Sequence, residues 1–241
     1  MNIRFYSRDE RPVRDVPSLF LVFLAVALAA QIFWFILQPE PAAKARRLPS
    51  PPSVGVLRLL SLDDPPVASR ITMLWLQAFD NQPGISIPFM QLDYDRVIAW
   101  LDTCLRLDQD SQYPLLAASR LYTFPPDATR IRKMVDFVYK KFFEDPDKRW
   151  VWMAHAVYVA KQRLKDMDRA LKFARALRLN THAGAVPYWA REMEIYVLED
   201  MGDVEAAKIL IGGLLESGSI TDPHEIRFLT DRLHMLENKK K

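Results

Sequence analysis

The feature of this sequence that most limits how the chain can fold is an unbroken apolar run near its start. Residues 19–37 read LFLVFLAVALAAQIFWFIL, in which Gln31 is the only polar side chain. A helix of this length rises about 28 Å, close to the hydrocarbon thickness of a bilayer, and it satisfies its backbone hydrogen bonds internally where lipid cannot. Pro17 and Pro39 lie at the two ends of the run. The sequence therefore predicts one transmembrane helix over residues 19–37.

A cleaved signal peptide is the alternative interpretation of this run. Basic residues precede it, and Ala43-Lys44-Ala45 has the small-x-small pattern of a cleavage site. However, the apolar core has 19 residues, whereas the core of a signal peptide has about 7–15. The small residues also lie well beyond Leu37. We therefore favour a retained anchor over a cleaved signal peptide.

The orientation of the predicted span depends on flanking charges that are nearly balanced. The N-terminal flank, residues 1–18, carries four arginines, and Lys44, Arg46 and Arg47 follow the span. By the positive-inside rule, the margin of one charge favours a cytoplasmic N-terminus. The expectation is a single-pass plasma-membrane or inner-membrane protein whose C-terminal domain lies outside the cytoplasm.

A proline-rich linker is predicted over residues 38–67. Its first part, QPEPAAKARRLPSPPS over residues 38–53, has five prolines and three basic residues and no apolar periodicity. Such a composition favours an extended, semi-rigid stalk. Three basic residues fall short of the roughly four to eight that are typical of anionic-lipid recognition, so we interpret them as ordinary flanking charges rather than a lipid site.

From residue 68 to residue 238 the sequence predicts one helix after another, because apolar residues recur at intervals of three and four. The first stripe consists of Ile71, Leu74, Trp75 and Ala78. Only Ile85 to Met90 reads as a short extended piece. The predicted fold class is all-α. The later helical stripes cover residues 94–105, 115–122, 131–142, 150–164, 170–179, 189–198, 204–215 and 224–236.

Two sequence features, a proline and an acidic segment, recur along this helical region at similar intervals. Prolines that suit a first helical turn stand before four of the stripes, at spacings of 32, 41 and 36 residues. Acidic segments mark the start of the second helix in each pair, and their last residues are 34, 39 and 37 positions apart. A common period implies a repeated helix–turn–helix unit. The prolines are Pro114, Pro146, Pro187 and Pro223, and the segments are LDYDRV (92–97), PDATRI (126–131), KDMDRA (165–170) and GDVEAA (202–207).

This repeat resembles the tetratricopeptide repeat (TPR) family, whose units have about 34 residues and a small residue early in the second helix. The best stretch is Tyr188 to Ser219, which contains EDMGDVEAAKIL, and the resemblance covers about residues 69–222 as four units. It implies a TPR-like solenoid over residues 68–238 that binds proteins or peptides through its helical surface. Residues 80–92 insert a loop that the standard unit lacks, so no partner-binding residue is transferred. A non-repeating helical bundle is the alternative.

No catalytic, cofactor-binding or metal-binding residue is predicted. Cys104 is the only cysteine, which excludes a disulfide framework, and its position between Leu101 and Leu105 predicts a small buried hydrophobe. The four histidines form no metal-binding pair, and His155 reads as a core or groove-edge residue rather than a ligand. Seven glycines at irregular spacing provide no nucleotide-binding loop.

Acidic pairs and aromatic residues in the helical region each allow two interpretations. Glu192 with Glu194, and Asp108 with Asp110, are interpreted as solvated helix faces. The dense aromatic residues are interpreted as packing between helices of adjacent units, in preference to anchors for a bound partner. These aromatic residues are Trp150, Trp152, Tyr158, Tyr188 and Trp189.

The leading functional hypothesis is a membrane-anchored protein–protein interaction module, either an adaptor or an assembly factor, with no enzyme activity and no cofactor. The 33 basic and 30 acidic residues argue against a nucleic-acid binder. The basic excess also belongs to the membrane flanks and the Lys tail, residues 239–241. Two alternatives stay open: an envelope enzyme with acids gathered from several helices, and a structural subunit of a membrane complex.

Overall fold

The computed structural model describes residues 16–38, 45–82, 84–88, 91–218 and 220–238. Most of the predicted N-terminal flank and the whole Lys tail lie outside these residues. The chain is about 71% helical, and the only strands among the described residues are β1 (Asn81–Gln82) and β2 (Ile85–Ser86), which pair antiparallel. The predicted helical fold class is confirmed.

The chain divides into two compact units, of which the first ends at Lys44 and the second begins at Ala45. The first unit contains helix α1 (Ser18–Leu37), whose 20 residues include no charged side chain. Every side chain of α1 is exposed in the structure. This helix is long and apolar enough to cross a membrane, as the sequence predicted.

The second unit consists of short helices, most of which pack on their neighbours along the chain. A π-helical turn, Ala117–Leu121, continues α5 and packs on α6. The pairs α7–α8, α3–α4 and α6–α7 make the most extensive contacts. The helices are α2 (Val54–Leu60), α3 (Pro65–Ala78), α4 (Tyr94–Leu107), α5 (Tyr113–Leu116), α6 (Ala128–Phe142), α7 (Pro146–Gln162), α8 (Met167–Asn180), α9 (Tyr188–Arg191), α10 (Met193–Asp200), α11 (Val204–Glu216) and α12 (Pro223–Asn238).

The recurring acidic segments have one structural role. In each, an aspartate is the N-cap of the following helix, and its side chain accepts a hydrogen bond from a backbone N–H of the first turn at 3.0 to 3.3 Å. The residue four positions after each cap is buried. An aspartate cap accepts a hydrogen bond from an otherwise unpaired N–H, and its negative charge interacts favourably with the positive end of the helix dipole. Such a cap typically stabilises the helix by about 1 kcal/mol. The four caps are Asp93, Asp127, Asp166 and Asp203, followed by buried Val97, Ile131, Ala170 and Ala207.

Two hydrophobic cores stabilise this unit. The larger core extends from Leu48 to Val197 and includes Tyr122, Phe142 and Phe173, which are fully buried. The smaller core joins α10, α11 and α12 through residues such as Ile211 and Leu229. The helix predicted from the apolar stripe at residues 131–142 is confirmed, and its apolar residues are buried as predicted.

Residues 45–53 form no helix or strand, yet they contact the helical unit closely. The Leu48 side chain is only 2% exposed, and its carbonyl oxygen accepts a hydrogen bond from the Arg96 guanidinium. The Pro49 carbonyl accepts one from the Trp100 indole at 2.8 Å. Because this segment packs on α4, the second half of the predicted stalk belongs to the folded unit, and α2 follows it directly.

Candidate functional site

The most unusual surface of the described chain is an apolar patch on α2, α3 and the turn that joins them. Large aliphatic side chains are exposed along both helices, although soluble surfaces rarely keep such residues in contiguous groups. Leu59 is 78% exposed, Leu60 75% and Leu62 93%. The apolar patch consists of Val56, Leu59, Leu60, Leu62, Val67, Ile71, Leu74 and Trp75.

The α3 helix presents the opposite face to the one that the sequence predicted. Ile71 and Leu74 were expected to face the core, but they are exposed, and Trp75 is partly exposed. The buried side of α3 carries Ala68, Ser69, Thr72, Met73 and Leu76 instead. The prediction was wrong because α3 is apolar on two faces, and periodicity alone does not tell which face meets the core.

Helix α2 is apolar but buries no residue in the structure. It has seven residues, VGVLRLL, and its N-terminus is capped by the Ser53 side chain, which accepts a hydrogen bond from the Val56 N–H at 3.4 Å. Isolated helices shorter than about 12 residues are marginal in water and usually need tertiary packing of an apolar face. Much of the apolar surface of α2 is therefore available for a further contact that would stabilise this helix.

The turn after α2 holds Leu62 in an unusual backbone conformation. Leu62 and Asp63 have φ angles of 54° and 60°, in the left-handed region that a bulky residue adopts at a cost. The Asp63 N–H donates to the Arg58 carbonyl at 2.8 Å, and Asp64 caps α3 by accepting from the Val67 N–H at 3.2 Å. These bonds fix a turn that projects a leucine into solvent.

Charged residues of both signs border the apolar patch. Arg58 lies on α2 and Arg70 on α3, and neither forms an ion pair with a described residue. Asp63, in the turn, is also exposed. An apolar centre with a polar rim is the usual anatomy of a protein–protein interface.

The aromatic residues divide between the two interpretations that the sequence left open. Trp150 and Trp152 pack against the main core, and the Trp152 indole donates to the Gln112 side chain at 2.6 Å. Trp189 and Tyr158 stay about half exposed, although the Trp189 ring lies 5.5 Å from that of Trp150. Interhelix packing is thus confirmed for Trp150 and Trp152.

Glu192 and Glu194 are buried, so their interpretation as a solvated face was wrong. Glu192 is 3% exposed and Glu194 2%. Glu194 accepts hydrogen bonds from Arg175 Nε at 2.8 Å and Arg178 Nε at 2.7 Å. The two arginines, which lie on helix α8, compensate the buried charge.

Glu192 has no such cationic pair. It lies between α9 and α10 and faces Glu225 of α12. Burial and the facing carboxyl raise its pKa to about 8, although Arg191 opposes this rise. The cavity beside Glu192 has a volume of about 10 Å³, which is room for about one water molecule. The Glu192 carboxyl therefore lies in packed protein rather than in a substrate-sized cleft.

Cys104 and His155 lie on the main helical unit, away from any metal-binding arrangement. Cys104 is fully buried, and burial raises the pKa of its thiol to about 12, as suits a small hydrophobe. His155 is partly buried, and burial together with Arg120 and Arg163 lowers its pKa. Among the described residues, no three or more His, Cys, Asp or Glu side chains are placed to hold a metal ion.

Comparison with known proteins assigns no relative. The sequence matches no protein-family model, and neither curated proteins nor solved structures give a significant match.

Proposed function

We propose that this chain is a membrane-anchored interaction module, with α1 as the anchor and the apolar patch as the surface that binds a protein partner. The observation that carries the proposal is the exposure of Leu59 and Leu60 on a helix that has no fully buried residue, together with that of Leu62 in the turn after it. Exposed apolar groups of this kind mark interaction sites.

A protein partner suits the apolar patch better than a lipid surface does. Arg58, Arg70 and Asp63 give its border charges of both signs, which complement a protein surface with charges of its own. An anionic membrane would repel Asp63 and its exposed neighbour Asp64. The partner then adds packing to α2 and stabilises its short helix.

The TPR-like solenoid and the extracytoplasmic position of the helical unit remain part of this proposal. Four aspartate caps at spacings of 34, 39 and 37 residues support a repeated helix pair. Stacked helix pairs commonly provide extended surfaces for protein binding. The proposal assigns no catalytic role, because the buried Glu192 lies in a space too small for a substrate.

Co-purification from native membranes tests the apolar patch. The full-length variant Leu59→Ser/Leu62→Ser is expected to recover its specific partner at least tenfold less than the unaltered chain does, since the lost apolar contact exceeds about 1.4 kcal/mol. Ile209 is also exposed but lies on α11, so Ile209→Ser is the matched control and is expected to retain the partner. Equal recovery by the patch variant and the control would contradict the proposal.

A second arm of this experiment distinguishes an adaptor from a structural subunit. Residues 19–37 are replaced with an unrelated apolar helix of equal length. An adaptor that binds through the apolar patch keeps its partner after this replacement, whereas a subunit whose span packs against partner helices loses it. Loss of the partner after this replacement would show that the membrane span, rather than the apolar patch, makes the interaction.

A further inference from the structure

A basic cavity lies at the N-terminal ends of α4 and α6, and the function proposed above does not use it. Its volume is about 390 Å³. Arg96 projects from the first turn of α4 and Arg130 from the first turn of α6, while Arg46 and Arg47 come from the segment that precedes α2. The folded chain thus brings four guanidinium groups from three separate segments to one cavity.

The positive charge of this basic cavity is only partly compensated. Arg96 Nε lies 3.4 Å from Asp93 Oδ2, and Arg130 Nε lies 3.4 Å from Asp127 Oδ2. Arg46 and Arg47 form no ion pair with any carboxylate of the described residues. Four arginines against two aspartates leave a net charge of +2 around the cavity.

Contacts within the folded unit fix the backbone of Arg46 and the side chains of Arg96 and Arg130. The Gln82 side chain accepts from the Arg46 N–H at 2.7 Å and donates to the Arg46 carbonyl at 2.9 Å. Arg96 donates to the carbonyl of buried Leu48, and the Arg130 guanidinium lies 5.3 Å from the centre of the Tyr94 ring. A cavity whose walls are fixed in advance loses less conformational entropy when it binds a ligand.

The position of these arginines in the sequence links the cavity to the membrane anchor. Arg46 lies nine positions after Leu37, the last residue of α1. A fully extended chain of that length reaches at most about 30 Å. If α1 spans a bilayer, Arg46 and Arg47 therefore stay within reach of lipid headgroups.

We propose that the basic cavity binds the phosphate of an anionic phospholipid headgroup. Guanidinium groups bind phosphate oxygens through paired N–H donors, and basic residues close to a membrane attract anionic lipids. Two of the basic residues that follow the span, Arg46 and Arg47, line the cavity, and folding adds Arg96 and Arg130. The total of four lies at the lower end of the number typical of lipid recognition. This inference depends on the membrane anchoring proposed for α1, but not on the protein partner.

Lipid titration of the full-length protein in a neutral detergent tests this inference. Short-chain phosphatidylglycerol is expected to raise the thermal unfolding midpoint in a saturable way, while short-chain phosphatidylcholine has a much smaller effect because its headgroup has no net charge. The variant Arg46→Gln/Arg47→Gln is expected to bind phosphatidylglycerol about thirtyfold more weakly.

Two controls separate the basic cavity from other sources of the effect. The variant Arg106→Gln/Arg227→Gln removes the same charge at two exposed positions outside the cavity and is expected to bind phosphatidylglycerol normally. An equal loss of binding there would mean non-specific attraction and overturn the inference. Inorganic phosphate and glycerol 1-phosphate test whether the cavity binds a soluble phosphate compound instead of a lipid headgroup. If either matches phosphatidylglycerol at equal concentration, the lipid assignment is overturned. The thermal unfolding midpoint is measured without a protein partner. A failure of lipid binding is therefore distinguishable from a failure of partner binding at the apolar patch.

Discussion

The Glu192→Gln variant is expected to be more stable than the unaltered protein at pH 8 and nearly equal to it at pH 4. Glu192 is buried, and it faces Glu225 instead of a cation. Burial and this neighbouring carboxyl raise its pKa to about 8 from the 4.5 of a free glutamate, while Arg191 opposes the rise. Tyr196 is close enough that its own pKa is raised by burial and by Glu192.

The sign of the effect follows from which state binds the proton. Below pH 4.5 both the folded and the unfolded states carry protonated Glu192, so this residue contributes no pH dependence. Between pH 4.5 and about 8 the unfolded state releases the proton and the folded state keeps it, so the free energy of unfolding falls as the pH rises. The total loss of unfolding free energy over this range is on the order of a few kcal/mol. Glutamine cannot ionise, which removes this loss.

Denaturant unfolding of the full-length protein in detergent, measured from pH 4 to pH 8, checks this prediction. Glu194→Gln is the matched control, because Glu194 is equally buried but accepts hydrogen bonds from Arg175 and Arg178. Loss of that charge is expected to destabilise the protein by about 3 kcal/mol at pH 7. If both variants destabilise the protein at pH 7, where a pKa of about 8 leaves Glu192 mostly protonated, the explanation of its environment is wrong.

Leu48→Ala is expected to lower the free energy of unfolding by about 2 to 5 kcal/mol. Leu48 belongs to the proline-rich stretch that the sequence reads as a stalk, but its side chain is 2% exposed and is part of the main core. Shortening the buried isobutyl side chain to a methyl group leaves a cavity against α4. The same unfolding measurement at pH 7 determines the loss.

Leu60→Ala provides the comparison for Leu48→Ala. Leu60 precedes the turn after α2 and is 75% exposed, so truncation is expected to change the stability by less than about 0.5 kcal/mol in the absence of a partner. Equal stabilities of the two variants would show that residues 45–53 do not pack on α4 in solution. The prediction of an extended stalk would then hold for this segment.

Much of the helical framework can be predicted from the sequence because its signals are local. The aspartates before α4, α6, α8 and α11 lie directly in front of apolar stripes, and their side chains cap the helices that follow. The apolar run of α1 is equally local, since its length and composition alone are sufficient for a membrane-spanning helix.

The candidate surfaces were not predicted, because they depend on contacts between distant residues. Whether Ile71 faces the core or solvent is decided by the position of α4, and the proline-rich segment is ordered by Leu48, whose pocket is formed by later helices. Glu192 looks exposed in the sequence because Glu225, more than 30 positions later, is what faces it. The only local signal for the apolar patch was VGVLRLL, a short apolar run between prolines.

Site-specific photo-crosslinking in native membranes tests the central claim most directly. A photoreactive phenylalanine analogue replaces Leu62 in the full-length chain, and the same analogue replaces exposed Ile209 as the control. The account predicts one discrete protein adduct from position 62 that is absent from position 209 and is lost when Leu59 is also changed to Ser. Adducts to lipid alone, no adduct at position 62, or the same protein adduct from both positions would contradict it.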